Sequence, residues 1–577
     1  MQYQPRNFAG APTCSRLRAY DHPEETRWPD NGHKPTTSRR SGGSSLLPGT
    51  VLGLIGVLLL NSPCHGAVSS APESNHSRTL LFADDHDILY RSGTRRVLHP
   101  LKRHPANPVL PGWDKPWETA VAWTSVYRNP ATGRYQLWYQ AFAGDEARDR
   151  TRRCTVCYAE SADGVHFTKP KLGLFDYNGI KDTAIVLVAN GGTSDRYGVS
   201  VVVDPRDPDP SRRYKMAYFD FTKDHGVEYP GLSVAFSPDG IHWTKHPQGP
   251  LSRAAYGDYG DPVPFTDETK RPWAIPLSMA DALDALYDPA RQVFAIYGKM
   301  WIDGPDGGMH WKHAMGRIES KDFIHWSRPQ LVLAPDEQDP AWVEFHTSPV
   351  FLCNGIYFSP LQILDRATQG GVVDIELATS RDGLNWQRPF RKPFWLARSE
   401  GGKFDSGAIF LSAQPVVLED ETRFYYGAYS QGATGSDDLK LTTGIGFATL
   451  PRDRFAGLQP LPRSDQPTLK KPLDKVGQVT LKPLDLAGVK SLELNADAAG
   501  GEVRVEILDG EGRRLRGFSR DEAIPVTGDS LRHSLRWQKR GITNLPAGSY
   551  MLRLHLNNAT VYALSLIYQR KTIDERR

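Results

Sequence analysis

Four near-identical heptapeptides, tens of residues apart, constrain this chain more than any other feature of it. They read Ser161-Ala-Asp163-Gly164-Val-His-Phe167, Ser237-Pro-Asp239-Gly240-Ile-His-Trp243, Ser320-Lys-Asp322-Phe323-Ile-His-Trp326 and Ser380-Arg-Asp382-Gly383-Leu-Asn-Trp386. A degenerate fifth, Thr449-Leu-Pro-Arg-Asp453-Arg-Phe455, ends the series. The residue types are those of a turn: Ser and Asp bond to turn amides, Gly takes up a positive φ, and the closing aromatic packs back between sheets. Each copy follows an alternating or apolar run that reads as a strand, at 154–160, 232–236, 313–319, 373–379 and 443–448.

A second element, a turn and an aromatic-rich strand, precedes each copy at 134–139, 213–219, 292–299, 355–361 and 422–429. A third lies further upstream, at 122–127, 197–203, 281–287, 345–352 and 409–418. With the strand after each hairpin these make a four-stranded antiparallel unit repeated five times, and radial repetition of such sheets is a propeller with the third element innermost. The competing architecture is a linear array or sandwich of hairpins. Residues 88–90 and 95–98, around Gly93, are expected to close the ring. From Gly457 the composition shifts through Pro460, Pro462 and Pro467, and alternating runs follow at 489–495, 503–508, 531–537, 551–556 and 561–568. The expected fold is therefore all-β: a five-bladed β-propeller over 85–456, a linker over 457–475 and a β-sandwich over 476–570.

Residues 1–67 read as a leader. A basic pair, Arg39-Arg40, precedes an apolar run over 46–60 too short to span a bilayer comfortably, and Gly66 and Ala67 offer small residues for cleavage. The expectation is export, to the periplasm or beyond, with no membrane span once the leader is removed; a twin-arginine signal, a lipid-modified Cys64 and a misplaced start codon are lesser alternatives. Lys plus Arg (70) nearly balances Asp plus Glu (66), so charge gives no reason to expect a nucleic-acid partner. Cys154 and Cys157 are spaced like a redox or zinc pair, but positions three apart on a strand face opposite ways.

These repeats, together with His104-Pro-Ala-Asn107-Pro108-Val-Leu110 ahead of the first inner strand and the phrase Phe167-Thr-Lys169-Pro170-Lys-Leu-Gly173, resemble the five-bladed propeller glycosidases. These are the arabinanases, xylosidases, invertases and levansucrases of glycoside hydrolase families 32, 43, 62 and 68, and the nearest likeness is to secreted proteins related to family 32. The invertase boxes are missing. Arg206-Asp207-Pro208 spells one, but inside a Pro-rich segment that reads as a turn. The copies also lack the residue between Asp and Gly that a sialidase Asp-box carries.

Glycoside cleavage needs one carboxylic acid to protonate the leaving oxygen and one carboxylate to activate water or attack carbon. In a propeller the candidates are the acids at the start of each innermost strand: Glu118, Asp195, Asp281 or Asp284, Glu344 and Asp405. Each has a plainer reading as a solvated or turn-bonded acid. The resemblance implies Glu118 as base or nucleophile, Asp195 as orienting carboxylate and a third-blade acid, where Asp281 stands in place of the family's Glu. Glu344 is the substitute acid, its carboxyl expected to be raised by apolar neighbours. Trp113, Trp117, Trp123 and Trp342 are candidate sugar platforms, with blade packing as the alternative. Arg196 or His310 are placed to meet an anionic sugar. His346 is either a plain hydrogen-bonding residue or a water-bridged ligand of an axial calcium. The expected function is hydrolysis of a polysaccharide or oligosaccharide without an organic cofactor. A non-catalytic glycan-binding propeller and a lyase or transferase using the same pocket stay open.

Overall fold

Each Ser-x-Asp turn forms the same way. Ser161 Oγ accepts from Gly164 N at 2.9 Å, and Asp163 Oδ1 accepts from Val165 N and His166 N at 2.8 and 2.9 Å. The same bonds recur around Asp239, Asp322 and Asp382. Gly240 has φ +82°, and a Cβ there would lie 2.5 Å from the Trp138 ring. Phe323 takes this position at φ +67° in the third copy, buried among Phe236, Phe294 and Trp326.

The computed structural model describes residues 77–569 except 192–197, 225–226, 254–281, 303, 307–310, 369, 434–441 and 463–473. The segment expected to be a leader, Asp195, Arg196, Asp281 and His310 therefore lie outside the described residues. Within them the regular structure is strand, with a few single-turn 3-10 helices such as Pro210–Arg212. No helix among them is long and apolar enough to cross a membrane.

The sheets follow the chain in order. Sheet A comprises Ala120–Arg128, Tyr135–Phe142, Cys154–Ser161 and Ile185–Val188. Sheet B is built on Val199–Val203, Tyr214–Asp224 and Val227–Ser237, and sheet C on Leu283–Asp288, Val293–Ile302, Lys312–Ser320 and Gln330–Leu333. Sheet D has eleven strands in two halves: Val343–Phe345 to Trp386–Phe390, then Ala408–Leu411 to Thr443–Pro451, joined by one parallel bridge at Val373 and Ala408. Two inner strands are interrupted where the sequence predicts one run: Val343–Phe345 resumes as Phe351–Cys353, and Ala408–Leu411 as Val416–Val417.

Period-two alternation places side chains on both faces of every sheet, and apolar layers fill the spaces between consecutive sheets. Cys154, Val156 and Tyr158 pack with Val199, Val201 and Met216 of sheet B, while Cys157 and Ala159 pack with Ile445 and Phe447 from the end of sheet D. Both cysteines are buried, on opposite faces as their spacing requires. Each turn is clasped by a side chain of the preceding sheet. Trp138 Nε1 donates to Gly240 O (2.6 Å), Arg212 Nη2 to Asp322 O (2.9 Å) and Tyr297 OH to Gly383 O (2.7 Å). Asn354 Nδ2 donates to Asp453 Oδ1 of the degenerate turn (3.2 Å), and Tyr425 OH, from the last sheet, to Gly164 O of the first (2.7 Å). Inner strands are stitched directly: Val201 N donates to Ser125 Oγ and Ala285 N to Ser200 Oγ, both at 2.9 Å. Arg206-Asp207-Pro208 is a turn, with Asp207 bonded to Lys215 Nζ at 2.6 Å.

The closing strand is not where the sequence places it. Ile88–Ser92 pairs with Val476–Leu481 and Thr94–Leu98 with Ala456–Pro460, so both belong to a ten-stranded C-terminal sheet that also takes in Ser77–Leu81. Leu80, Phe82 and Ile88 are buried in that sheet's core with Leu458, Val479 and Leu554, which explains the destination of this segment. Lys102–Arg103 and Leu110–Pro111 pair with Thr443–Pro451 instead. In the C-terminal sheet the two runs expected at 489–495 and 503–508 are one strand, Val489–Asp509, irregular between Ala498 and Val503 where Gly500 and Gly501 fall. The run expected at 531–537 forms as Val526–Ser534.

Candidate functional site

In sheets A, C and both halves of D, the predicted acids sit at the sheet end opposite the repeated turn. Ala120 faces Phe142 at one end of sheet A and Tyr135 faces Ser161 at the other; Leu283 with Gly298, Val343 with Asp365 and Ala408 with Tyr429 mark the corresponding ends elsewhere. At that end the four described acids are all buried, each held differently.

Glu118 is fully enclosed. Tyr139 OH donates to Oε1 at 2.7 Å and Lys169 Nζ to Oε2 at 2.5 Å, and Lys169 also reaches Asp114 at 3.0 Å. Burial raises the carboxyl above the usual range, with Lys169 and Tyr139 pulling it back. The Lys-Pro phrase after the first turn thus delivers the ammonium that meets Glu118. Asp405 accepts from Arg103 Nε at 2.6 Å and Tyr426 OH at 3.0 Å. Arg103 lies on the closing strand, so this carboxylate fastens that strand to the sheet.

Asp284 has no such partner. Its alternation partners Leu283 and Ala285 fill the apolar layer shared with sheet B. Among the described residues the Asp284 carboxyl accepts only from Ala413 N, at 3.4 Å. Burial without a counter-charge pushes it well above the ordinary carboxylate range. Ala413 leaves the far half of sheet D, and the adjacent Gln414 Nε2 bonds to Val201 O of sheet B, so this segment touches inner strands of both sheets B and C.

Glu344 is the opposite case, and the expected raised carboxyl is not found. Its Oε2 lies 2.9 Å from His313 N and 2.8 Å from His313 Nδ1, while Arg366 Nε bonds to Oε1. His313 and Arg366 outweigh burial and hold this carboxyl far below the usual range. Its sequence neighbour Trp342 is 51% exposed.

The aromatic candidates divide. Trp113 is 44% exposed in a turn whose N–H bonds to Glu118 O at 2.6 Å. Trp117 is 2% exposed and packs 5.6 Å from Tyr177, so it is a packing residue rather than a platform. Trp123 lies 5.0 Å from the Phe410 ring and 6.1 Å from His346, bringing together strands of sheets A and D. His346 Nδ1 is bonded to Gln362 Oε1 at 3.0 Å. No three His, Cys, Asp or Glu side chains among the described residues gather as a metal-binding cluster.

Other residues emerge only in three dimensions. The Trp301 ring lies 3.8 Å from that of His313 at a tilt of 36°, and Trp311, 50% exposed, stands on the same hairpin of sheet C. The signal in the sequence is the pair of tryptophans flanking the Gly-rich stretch 303–308. Asp220, in sheet B, accepts from Asn190 N at 3.1 Å with Lys245 Nζ at 3.5 Å, and burial pushes it up to about 6.

No protein-family profile matches the chain. A curated relative, the A type blood N-acetyl-alpha-D-galactosamine deacetylase of Flavonifractor plautii, is 24% identical over 326 residues, 48% of this chain. The match takes in 34% of that relative, so the chain spans about a third of its length. Among solved structures, an N-acetylgalactosamine deacetylase from F. plautii in complex with blood group B trisaccharide is 18% identical, covering 61% of this chain and 96% of that one with a TM-score of 0.38. A glycosyl hydrolase from Bacteroides ovatus is 17% identical over 63% of this chain and 97% of its own, with a TM-score of 0.40. The chain is similar to glycoside hydrolases and to a carbohydrate deacetylase.

Chemically, the arrangement separates two carboxyls by environment. Burial with no charged partner pushes the Asp284 carboxyl well above the ordinary carboxylate range, while His313 and Arg366 hold that of Glu344 far below it. Carboxyls whose environments drive their proton affinities apart in this way are suited to acid–base hydrolysis.

Proposed function

We propose that this chain is an exported carbohydrate-active hydrolase that cleaves a glycosidic bond, on a five-bladed β-propeller followed by a β-sandwich. The observation that carries the activity is the opposed surroundings of two buried carboxyls at equivalent ends of neighbouring sheets, Asp284 with a single amide partner and Glu344 held by His313 and Arg366. Asp284 protonates the leaving oxygen, and Glu344 is the ionised partner that activates water or attacks carbon. Trp113, Trp311 and Trp342 offer exposed rings to the sugar. Five blades are supported by turn clasps that run from each sheet to the next and from the last back to the first. Export is supported by the apolar run at 46–60 and the small residues after it.

A second reading, removal of an N-acetyl group from a sugar, is favoured by the 326-residue match to the deacetylase. One screen separates the two. The protein is incubated with acetylated and unacetylated polysaccharides, and new reducing ends and free acetate are measured in parallel. Reducing ends, lost in Asp284→Asn, support glycoside cleavage; acetate without reducing ends overturns it.

A further inference from the structure

The outer face of the ten-stranded sheet carries an ordered polar array that neither core packing nor the proposed reaction uses. Register sets Tyr90 beside Thr480, Thr480 beside Arg553 and Arg553 beside Glu506 across three strand pairs. Arg553 Nη2 donates to Tyr90 OH at 2.8 Å and Nη1 to Glu506 Oε1 at 3.0 Å, while Arg514 Nε approaches Glu506 Oε2 at 3.7 Å. One step along the pleat, Gln478, His555 and Arg504 form a parallel row. Tyr90 is 43% exposed and the Arg514 side chain 75% exposed, so the row ends in open solvent on both sides.

Next to it the cations outnumber the acids. Arg516, Arg520 and Arg540 are exposed. Arg540 lies over Gly517, and the backbones of the two loops are joined by Gln538 N to Glu522 O and Ile524 N to Arg536 O, both 2.9 Å. Burial lowers the His555 imidazole, and Arg520 is close enough to add to that effect. No carboxylate among the described residues bonds to Arg516, Arg520 or Arg540.

We propose that this face is a second, non-catalytic glycan site that takes a polysaccharide carrying carboxylate or sulfate groups. The Tyr90 ring offers an apolar surface for a sugar, Arg553 a donor group held in place by the buried Glu506, and the exposed guanidinium groups forks that match a carboxylate or sulfate. The choice of a saccharide over other polyanions rests on the carbohydrate reading of the propeller.

The test is affinity electrophoresis of the full protein through gels holding polygalacturonate, chondroitin sulfate, a neutral β-glucan or duplex DNA. Retardation by either acidic polysaccharide is expected, abolished by high salt, with none by the neutral glucan. The triple variant Arg514→Ala/Arg516→Ala/Arg540→Ala, all on exposed loops, should weaken it at least about tenfold. Tyr90→Ala should weaken it at unchanged charge. Cleavage of soluble oligosaccharides, measured on the same preparations, should not change, so a failure of the binding site and a failure of the hydrolase reading are told apart. Equal retardation by DNA, no retardation by either acidic polysaccharide, or an unaffected triple variant would overturn the proposal.

Discussion

The two ends of the same sheets use aspartate and glutamate in contrasting ways. At the turn end, Asp163, Asp239, Asp322 and Asp382 sit in one environment four times over, accepting two backbone N–H bonds apiece and held below the usual carboxylate range. At the other end no two acids are held alike: Lys169 and Tyr139 for Glu118, one amide for Asp284, His313 and Arg366 for Glu344, Arg103 for Asp405. Repeated chemistry marks what every sheet needs in order to fold; unrepeated chemistry marks positions free to be tuned separately, which is where a reaction can be built.

The largest effect that could break this contrast is in Asp284→Asn. Turnover should fall by about 100- to 10,000-fold, the worth of a general acid. Stability should hold or rise at neutral pH, because the native carboxyl binds its proton more tightly than the unfolded chain and becomes harder to keep buried as pH rises. The rate profile should lose activity on the alkaline side as this proton leaves, while Glu344 stays ionised well into acid. Glu344→Gln should also lose turnover but, unlike Asp284→Asn, should cost stability, about 1–3 kcal/mol, since His313 and Arg366 lose their counter-charge and Arg366 is 43% solvent-exposed. Equal unfolding midpoints for the two variants would erase the distinction between the acids.

At the turn end the effects are on folding alone. Gly240→Ala should lose about 2–4 kcal/mol in chemical denaturation, from a strained positive φ and the clash with Trp138. Specific activity of the folded fraction should not move. The smallest effect is acid lability. The turn aspartates stabilise fully above about pH 4, the unfolded value, and that contribution disappears as pH falls through about 2 for Asp239 and Asp382. A melting temperature unchanged between pH 4 and 2 in wild type would remove this part of the argument.

The turns, most of the strands and the sheet end that gathers acids are legible in the sequence because they depend on local spacing: a turn needs its Ser, Asp and Gly within four residues. What is not legible depends on partners hundreds of residues away or on another strand. Nothing near residues 88–98 reveals that their partners are 456–460 and 476–481, and nothing near Glu344 in sequence reveals His313 or Arg366. Apolar neighbours in sequence predict a raised carboxyl there; His313 and Arg366 in space decide the reverse. Trp117 misleads for a related reason, since an indole beside an acid reads equally well as platform or packing until Tyr177 covers it.

The most direct test reads the protons themselves. Infrared difference spectra at pH 7 between wild type and each variant should contain a protonated-carboxyl stretch that disappears in Asp284→Asn and persists in Glu344→Gln, whose difference should instead show the loss of a carboxylate band. A spectrum in which Asp284→Asn removes a carboxylate band, or Glu344→Gln removes the protonated one, would contradict the division of labour between these two residues.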